Sequence, residues 1–169
     1  MSLLRLNVGS GQRPFKSPWT NVDVNPKWRP DVVADSAHMP MIADGSADLI
    51  VLHHCLEHFG CGEAIPMIQE CHRILCPGGS LLIFVPDMRA LGHMWMRGQI
   101  STQVFMTNTY GAYMDDEADR HKWGYDRPSL HEFLRRSSPW SNVGPFDWRP
   151  IAGADIAYDV WILAAEAVK

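Results

Sequence analysis

The sequence predicts an α/β fold: one domain over residues 1–169, with a mostly parallel sheet of about six to seven strands and helices on both faces. Two observations predict it. Short apolar runs recur, and each stops at glycine, an acid or histidine: Leu3–Val8 before Gly9-Ser10-Gly11, Thr20–Val24 around Asp23, Asp31–Ala34 before Asp35, Ala47–Leu52 before His53-His54. Helical periodicity then alternates with strand runs, and a pair of strand-like runs closes the chain, which is the pattern of a mostly parallel sheet.

Taken in order, Leu3–Val8 is apolar and bounded by glycine, so it reads as a buried first strand. Residues 12–18 contain Pro14 and Pro18, which leave no room for a full crossover helix. The first crossover helix is therefore expected to be truncated. Thr20–Val24 is the second strand and Asp31–Ala34 a short third. After the turn signal Asp44-Gly45-Ser46, Ala47–Leu52 is a nearly continuous apolar run suited to burial on both faces. In Gly62–Leu75, Ala64, Ile65, Ile68, Cys71, His72 and Leu75 recur at three- and four-residue spacing, and Cys76-Pro77-Gly78-Gly79 stops the helix. Ser80–Val85 reads as the fifth strand, ending at Pro86-Asp87.

Beyond Asp87 the pattern weakens. Met88–Gln99 reads as helical, Ser101–Tyr110 is ambiguous, and Met114–Arg120 is strongly charged. Residues 88–127 are read as an inserted segment covering the site. Pro128–Ser137 is a helix with proline in its first turn. A loop with Pro139 and Gly144 follows, and Phe146–Arg149 and Ala157–Ala165 close the chain as strands.

Composition narrows the class. Apolar content of 46% and charged content of 20% are ordinary for a globular domain. The net charge of −4 supplies no general basic field, which counts against a nucleic-acid partner. No apolar run reaches about 18 residues, so no membrane helix is expected. The N-terminus lacks a signal-peptide pattern, and Cys55, Cys61, Cys71 and Cys76 do not form a disulfide framework; the expected location is cytoplasmic.

The strand ends carry the chemistry, because ligands of open α/β sheets bind there. Gly9, Ser10 and Gly11 allow a ligand to approach the backbone. Asp23 can accept both ribose hydroxyls, and Asp35 with Ser36 can face an adenine amino group. A dinucleotide fits poorly. Pro14 stands where the third glycine of G-x-G-x-x-G belongs, and Asp23 follows Gly9 by 14 residues rather than about 20. No G-K-[ST] follows, so there is no phosphate-cradling P-loop. A cofactor with a ribose diol, an adenine and an amino-acid end, but no phosphate, fits better. S-adenosylmethionine is such a molecule, with Asn7 and backbone amides at its amino-acid end. His53 and His54 end the fourth strand and point to opposite sides; His53 is placed beside the cofactor and His54 toward an acceptor. Met39 is a candidate to pack on the purine.

His54, Glu57 and His58 have helical spacing, but the cysteine gaps of 5, 9 and 4 intervening residues match zinc patterns poorly. No metal is expected.

Leu6-Asn7-Val8-Gly9-Ser10-Gly11, Asn21-Val22-Asp23, Asp35, His53-His54-Cys55-Leu56-Glu57-His58 and Arg73-Ile74-Leu75-Cys76-Pro77-Gly78-Gly79 resemble the class I S-adenosylmethionine-dependent methyltransferases, in particular small ones with a shortened first crossover. The later Arg120–Asp126 segment resembles their H-x-x-G-[YF] stretch. Cys76 departs from the usual basic residue before the proline. The resemblance implies a Rossmann-like sheet and methyl transfer from S-adenosylmethionine, with S-adenosylhomocysteine as product. The acceptor would be an oxygen or nitrogen nucleophile of a small molecule, a sugar being the class favoured. His54, His121 and Asp87 are the candidate catalytic residues, with Tyr125 as a further hydroxyl donor and Trp95 and Trp123 as an acceptor platform. The alternative expectation is a non-catalytic domain that binds the cofactor or a partner.

Overall fold

The computed structural model describes residues 4–112, 119–146, 150–156 and 160–169. Seven strands form one sheet: β1 (Leu4–Val8), β2 (Trp19–Asp23), β3 (Val32–Val33), β4 (Ala47–His53), β5 (Leu75–Pro86), β6 (Asn142–Pro145) and β7 (Ile162–Val168). Their order is β3-β2-β1-β4-β5-β7-β6. The first five pair in parallel, and β7 runs antiparallel between β5 and β6. Four α-helices accompany them: α1 (Ala64–Ile74), α2 (Met88–Met96), α3 (Thr102–Tyr110) and α4 (Arg127–Ser137). This is the mostly parallel α/β sheet that the alternating runs imply.

Alternation along the strands divides the core. Leu6, Val8, Ile50, Leu52, Leu81 and Ile83 point to one face, where α1 contributes Met67, Ile68 and Cys71 and α4 contributes Leu130 and Leu134. Met39, read as a purine-facing candidate, is fully buried in this core instead. Arg73 fastens the β3–β4 crossover to α1. Its guanidinium donates to Glu70, to the carbonyls of Ile42 and Met39, and to Asp44.

The other face holds Val51, Leu82 and Phe84, covered by Phe15, Phe146 and the partly buried Ile151, Ala154 and Ile156. Among the described residues no helix supplies this cluster. The β1–β2 crossover is helix-free, as Pro14 and Pro18 predict, and hydrogen bonds replace the helix. Asn21 accepts from Phe15 N at 2.7 Å and donates to Phe15 O at 3.0 Å, so its amide serves Phe15 as a peptide would. Asn7 Nδ2 donates to the same Asn21 oxygen. Trp19 Nε1 donates to Ala152 O, and Lys16 N to Gly153 O.

Several boundaries differ from the sequence expectation. β5 starts directly after α1 rather than at Ser80, because Gly78 and Gly79 exchange backbone bonds with Lys169 and extend the pairing. The Pro139–Gly144 stretch, read as loop, contains β6, an edge strand beside β7. Ser101–Tyr110 resolves to a helix because the Ser101 hydroxyl caps it by accepting from Val104 N. Of the final strand expected over Ala157–Ala165, the described residues form a strand from Ile162, which continues to Val168. Residues 147–149, within the strand expected over Phe146–Arg149, lie outside the described residues. So do 157–159 of Ala157–Ala165 and most of the charged stretch Met114–Arg120.

Candidate functional site

Four strand ends converge on one edge of the sheet. β1 passes into Gly9 with φ of +70° and Gly11 with φ of +49°, both in the left-handed region that favours glycine. A Cβ on Gly9 would stand 2.3 Å from Cys55 Sγ, so the β1 turn and the β4 end are packed against each other. Around Gly11 the space is open: a Cβ there would meet nothing within 4 Å. Gly9 and Ser10 donate to Val22 O, which binds this turn to β2.

Asp23 ends β2 and closes the ring. It accepts from Gly11 N at 2.7 Å through Oδ2 and from Asn25 N at 2.8 Å through Oδ1. Each carboxylate oxygen retains capacity for a further donor. Ser10 Oγ and His53 Nε2 are buried and lack a partner among the described residues. A glycine turn with open space, an acid and orphaned buried polar atoms fit the edge of a ribose-bearing, phosphate-free ligand such as S-adenosylmethionine.

The other expected cofactor residues sit further out or are engaged elsewhere. Asn7 is buried with its amide donated to Asn21, so it braces the first crossover. Asp35 is exposed and accepts from Ala37 N, closing the turn that contains Ser36.

His53 and His54 do not point to opposite sides as alternation along a strand would place them: β4 ends at His53, and the two rings meet edge-on with centroids 4.7 Å apart. His53 is 8% exposed, packed between Phe15 and Phe84. Burial, helped by the neighbouring His54, lowers its pKa to about 4, so it is neutral at physiological pH. His54 has φ of +52°, unusual for a residue with a side chain, and donates its N–H to Phe84 O. Its ring Nδ1 lies 3.1 Å from Glu57 Oε1, and its side chain is 33% exposed.

Glu57 lies in the 3-10 turn Leu56–His58, 1% exposed. Burial opposes its charge, but the His54 bond and nearby imidazoles outweigh burial and hold the carboxyl below the usual range. From this turn, Glu57 O accepts from Lys122 N and Trp123 N, which pins the cover segment beside β4. His121 arrives there with Nδ1 2.9 Å from Asn108 O, and burial lowers its pKa. His121 is thus brought to the His54–Glu57 pair, and His58 stacks edge-on against it at 4.9 Å. The grouping of Glu57, His58 and His121 was missed by sequence reasoning, since His121 stands 63 positions beyond His58 and no local spacing links them.

Asp87 ends β5 and caps α2, accepting from Arg89 N and Ala90 N through Oδ1. Tyr125, a candidate hydroxyl donor, is instead a core side chain against Phe133, with its hydroxyl buried. Trp95 stacks on Phe105 between α2 and α3, 4.8 Å centroid to centroid, and Trp123 is exposed, so the two do not form one platform.

Residues 13–83 match a family model described as a methyltransferase domain. A search of curated proteins finds no match. Solved structures share the fold. One is a Thermotoga maritima protein described as a SAM-dependent methyltransferase, possible histamine N-methyltransferase, at 14% identity and TM-score 0.64, covering 98% of this chain and 82% of that one. A SAM-dependent methyltransferase from Archaeoglobus fulgidus has 14% identity and TM-score 0.61, with 99% and 87% covered. The 1,6-didemethyltoxoflavin-N1-methyltransferase of Burkholderia thailandensis, solved with 1,6-didemethyltoxoflavin and S-adenosylhomocysteine, has 18% identity and TM-score 0.57, with 98% and 70% covered. The matched segment is similar to a methyltransferase domain over residues 13–83, and the solved structures show that the chain shares their Rossmann-like α/β fold. No described helix is long and apolar enough to cross a membrane.

Proposed function

We propose that this chain transfers the methyl group of S-adenosylmethionine to an oxygen or nitrogen nucleophile of a small molecule. A hydroxylated acceptor such as a sugar is favoured, and the expected location is cytoplasmic. The observation that carries this reading is the convergence of the Gly9–Gly11 turn, Asp23 and the His53-His54 pair at neighbouring strand ends.

In this reading Gly9, Ser10 and Gly11 hold the cofactor's amino-acid end, with Asn7 bracing the turn from below. Asp23 accepts the ribose hydroxyls. Asp35 and Ser36 border the adenine, and His53 lines the cofactor as a neutral ring. The cofactor supplies a methyl carbon already activated by a positive sulfur. The chain's work is then alignment, worth roughly 7–11 kcal/mol of barrier in well-oriented systems.

His54 is the proposed base. A carboxylate only accepts, so Glu57 fixes the His54 Nδ1 as donor and leaves Nε2 its lone pair. The acceptor's atom forms its bond to the methyl carbon as the carbon–sulfur bond breaks. The sulfur keeps that electron pair, and the acceptor proton passes to His54 Nε2. Asp87 supports this edge by fixing the start of α2, and His121 borders it from the cover segment.

The test is calorimetric titration of the full chain with S-adenosylmethionine and S-adenosylhomocysteine, beside Asp23→Ala. Micromolar binding lost in the folded variant supports the site and opens a screen of hydroxylated acceptors. Absence of binding by a folded wild-type chain overturns the reading. It would favour a non-catalytic module, which the helix-free first crossover also suits.

A further inference from the structure

Glu57, His58 and His121 each bring a ligand atom to within 4.8 Å of the others. Three details of their surroundings converge. Glu57 is 1% exposed, yet while Oε1 meets His54, Oε2 is buried with no partner among the described residues. A buried carboxylate oxygen without a donor is costly and is the group a cation would satisfy. His58 Nδ1 lies 3.3 Å from Arg120 O and His121 Nδ1 lies 2.9 Å from Asn108 O. A carbonyl only accepts, so each Nδ1 carries its proton and each Nε2 keeps its lone pair. Metal-binding imidazoles are oriented in this way, by giving the other ring proton to a carbonyl or carboxylate.

We propose that Glu57, His58 and His121 form a binding site for a divalent transition-metal ion, with zinc as the best match. Two imidazoles and one carboxylate are a donor set that zinc takes, whereas magnesium and calcium prefer oxygen alone. Bonds of about 2.0–2.2 Å in a tetrahedron put ligand atoms about 3.4 Å apart. Closing from the observed spacing asks for inward movement of about 1 Å, and the two partly exposed imidazoles can make it by small rotations. Glu57 need not move, since His54 and the turn already hold it.

Three protein ligands leave at least one position open, as in zinc sites that bind water or substrate rather than brace a fold. The cluster lies on the His54 side of the strand ends. In this respect the inference rests on the methyl-transfer reading: the open position would take an oxygen of the acceptor.

The experiment uses the full chain, stripped with a chelator and titrated with zinc against a chromophoric competitor. His58→Ala, His121→Ala and a Cys61→Ser/Cys76→Ser double variant are compared, with magnesium as a parallel arm. One zinc per chain is expected, unchanged by the cysteine substitutions and weakened at least about tenfold by either histidine substitution. Cobalt in place of zinc should show d–d bands without a thiolate charge-transfer band. Absence of stoichiometric binding, binding that survives His121→Ala, or binding lost with the cysteines overturns the site. Circular dichroism of the same samples confirms that the variants are folded, and S-adenosylmethionine titration keeps the two readings apart. A chain that binds cofactor but no zinc refutes only the metal site, and the converse refutes only the cofactor site.

Discussion

At Gly9 two independent requirements meet. The φ of +70° disfavours any side chain, and a Cβ would press on Cys55 Sγ at 2.3 Å and Cys55 Cβ at 2.9 Å. Gly9→Ala should cost about 2–4 kcal/mol from left-handed strain and overpacking together. Cys55→Ala should recover part of that loss, because it removes the closer contact and not the backbone strain. Urea unfolding of the two single variants and the double variant measures the coupling. At His53 the prediction concerns acid. Its folded pKa of about 4 lies below the ordinary 6.5, so the unfolded chain binds the extra proton first as pH falls. The stability tied to neutral His53 is complete above about pH 6.5 and is lost progressively toward pH 4. Between pH 7 and 5 this one group should remove about 2 kcal/mol, with His72, His121 and His131 acting in the same direction because burial lowers each of them. His53→Phe, surrounded by Phe15 and Phe84, should flatten that slope in unfolding measured at the two pH values.

The first crossover shows how an element can be replaced by a single side chain. Pro14 and Pro18 announce that a helix is absent, and the sequence pattern carries no hint of what takes its place. Asn21 does so, by pairing both polar groups of the Phe15 peptide from within β2 while also meeting Asp31. Asn21→Ala would strand the Phe15 N–H and C=O in the interior, and each unsatisfied buried group costs about 1–3 kcal/mol. The expected loss is about 2–4 kcal/mol, together with weaker cofactor binding, since Asn21 lies two residues before Asp23; denaturant midpoints and calorimetry check the two effects. The Asn-Val-Asp motif reads in the sequence as a cofactor motif through Asp23. Its asparagine turns out to brace the backbone instead. The cap of α3 was likewise hidden, because Ser101 is one of many serines that could start a helix and only the packing of α3 against α2 selects it.

Across the molecule, burial is uneven. α1 buries five residues, α2 buries only Leu91, and α3 buries none, with Trp95, Met96, Met106 and Tyr110 exposed on the α2–α3 hairpin. Helices held by few apolar contacts open at low free energy. Backbone amides of α2 and α3 should therefore exchange hydrogen well before those of α1. Exchange at similar rates would mean that the hairpin is stabilised by something other than its own contacts. The same unevenness marks the sheet. On the face where no helix lies among the described residues, a cleft of about 300 Å³ sits among Arg5, Leu49, Leu82, Ile151 and Glu166. It opens near the amino-terminal ends of β1 and β4, away from the strand ends that carry the candidate site.

Local chemistry wrote the strand runs, the glycine turn, the terminal acids and the missing helix into the linear chain, because periodicity, proline and glycine act over a few residues. The sheet class and the position of Asp23, His53 and His54 at strand ends follow from those signals alone. Assembly decided what depends on distant partners. β6 exists as a strand because β7 offers it an edge, Tyr125 is core because α4 packs over it, and His121 meets Glu57 because the backbone of residues 122–123 bonds to the Leu56–His58 turn. Such contacts join positions tens of residues apart, and no spacing rule along the chain encodes them.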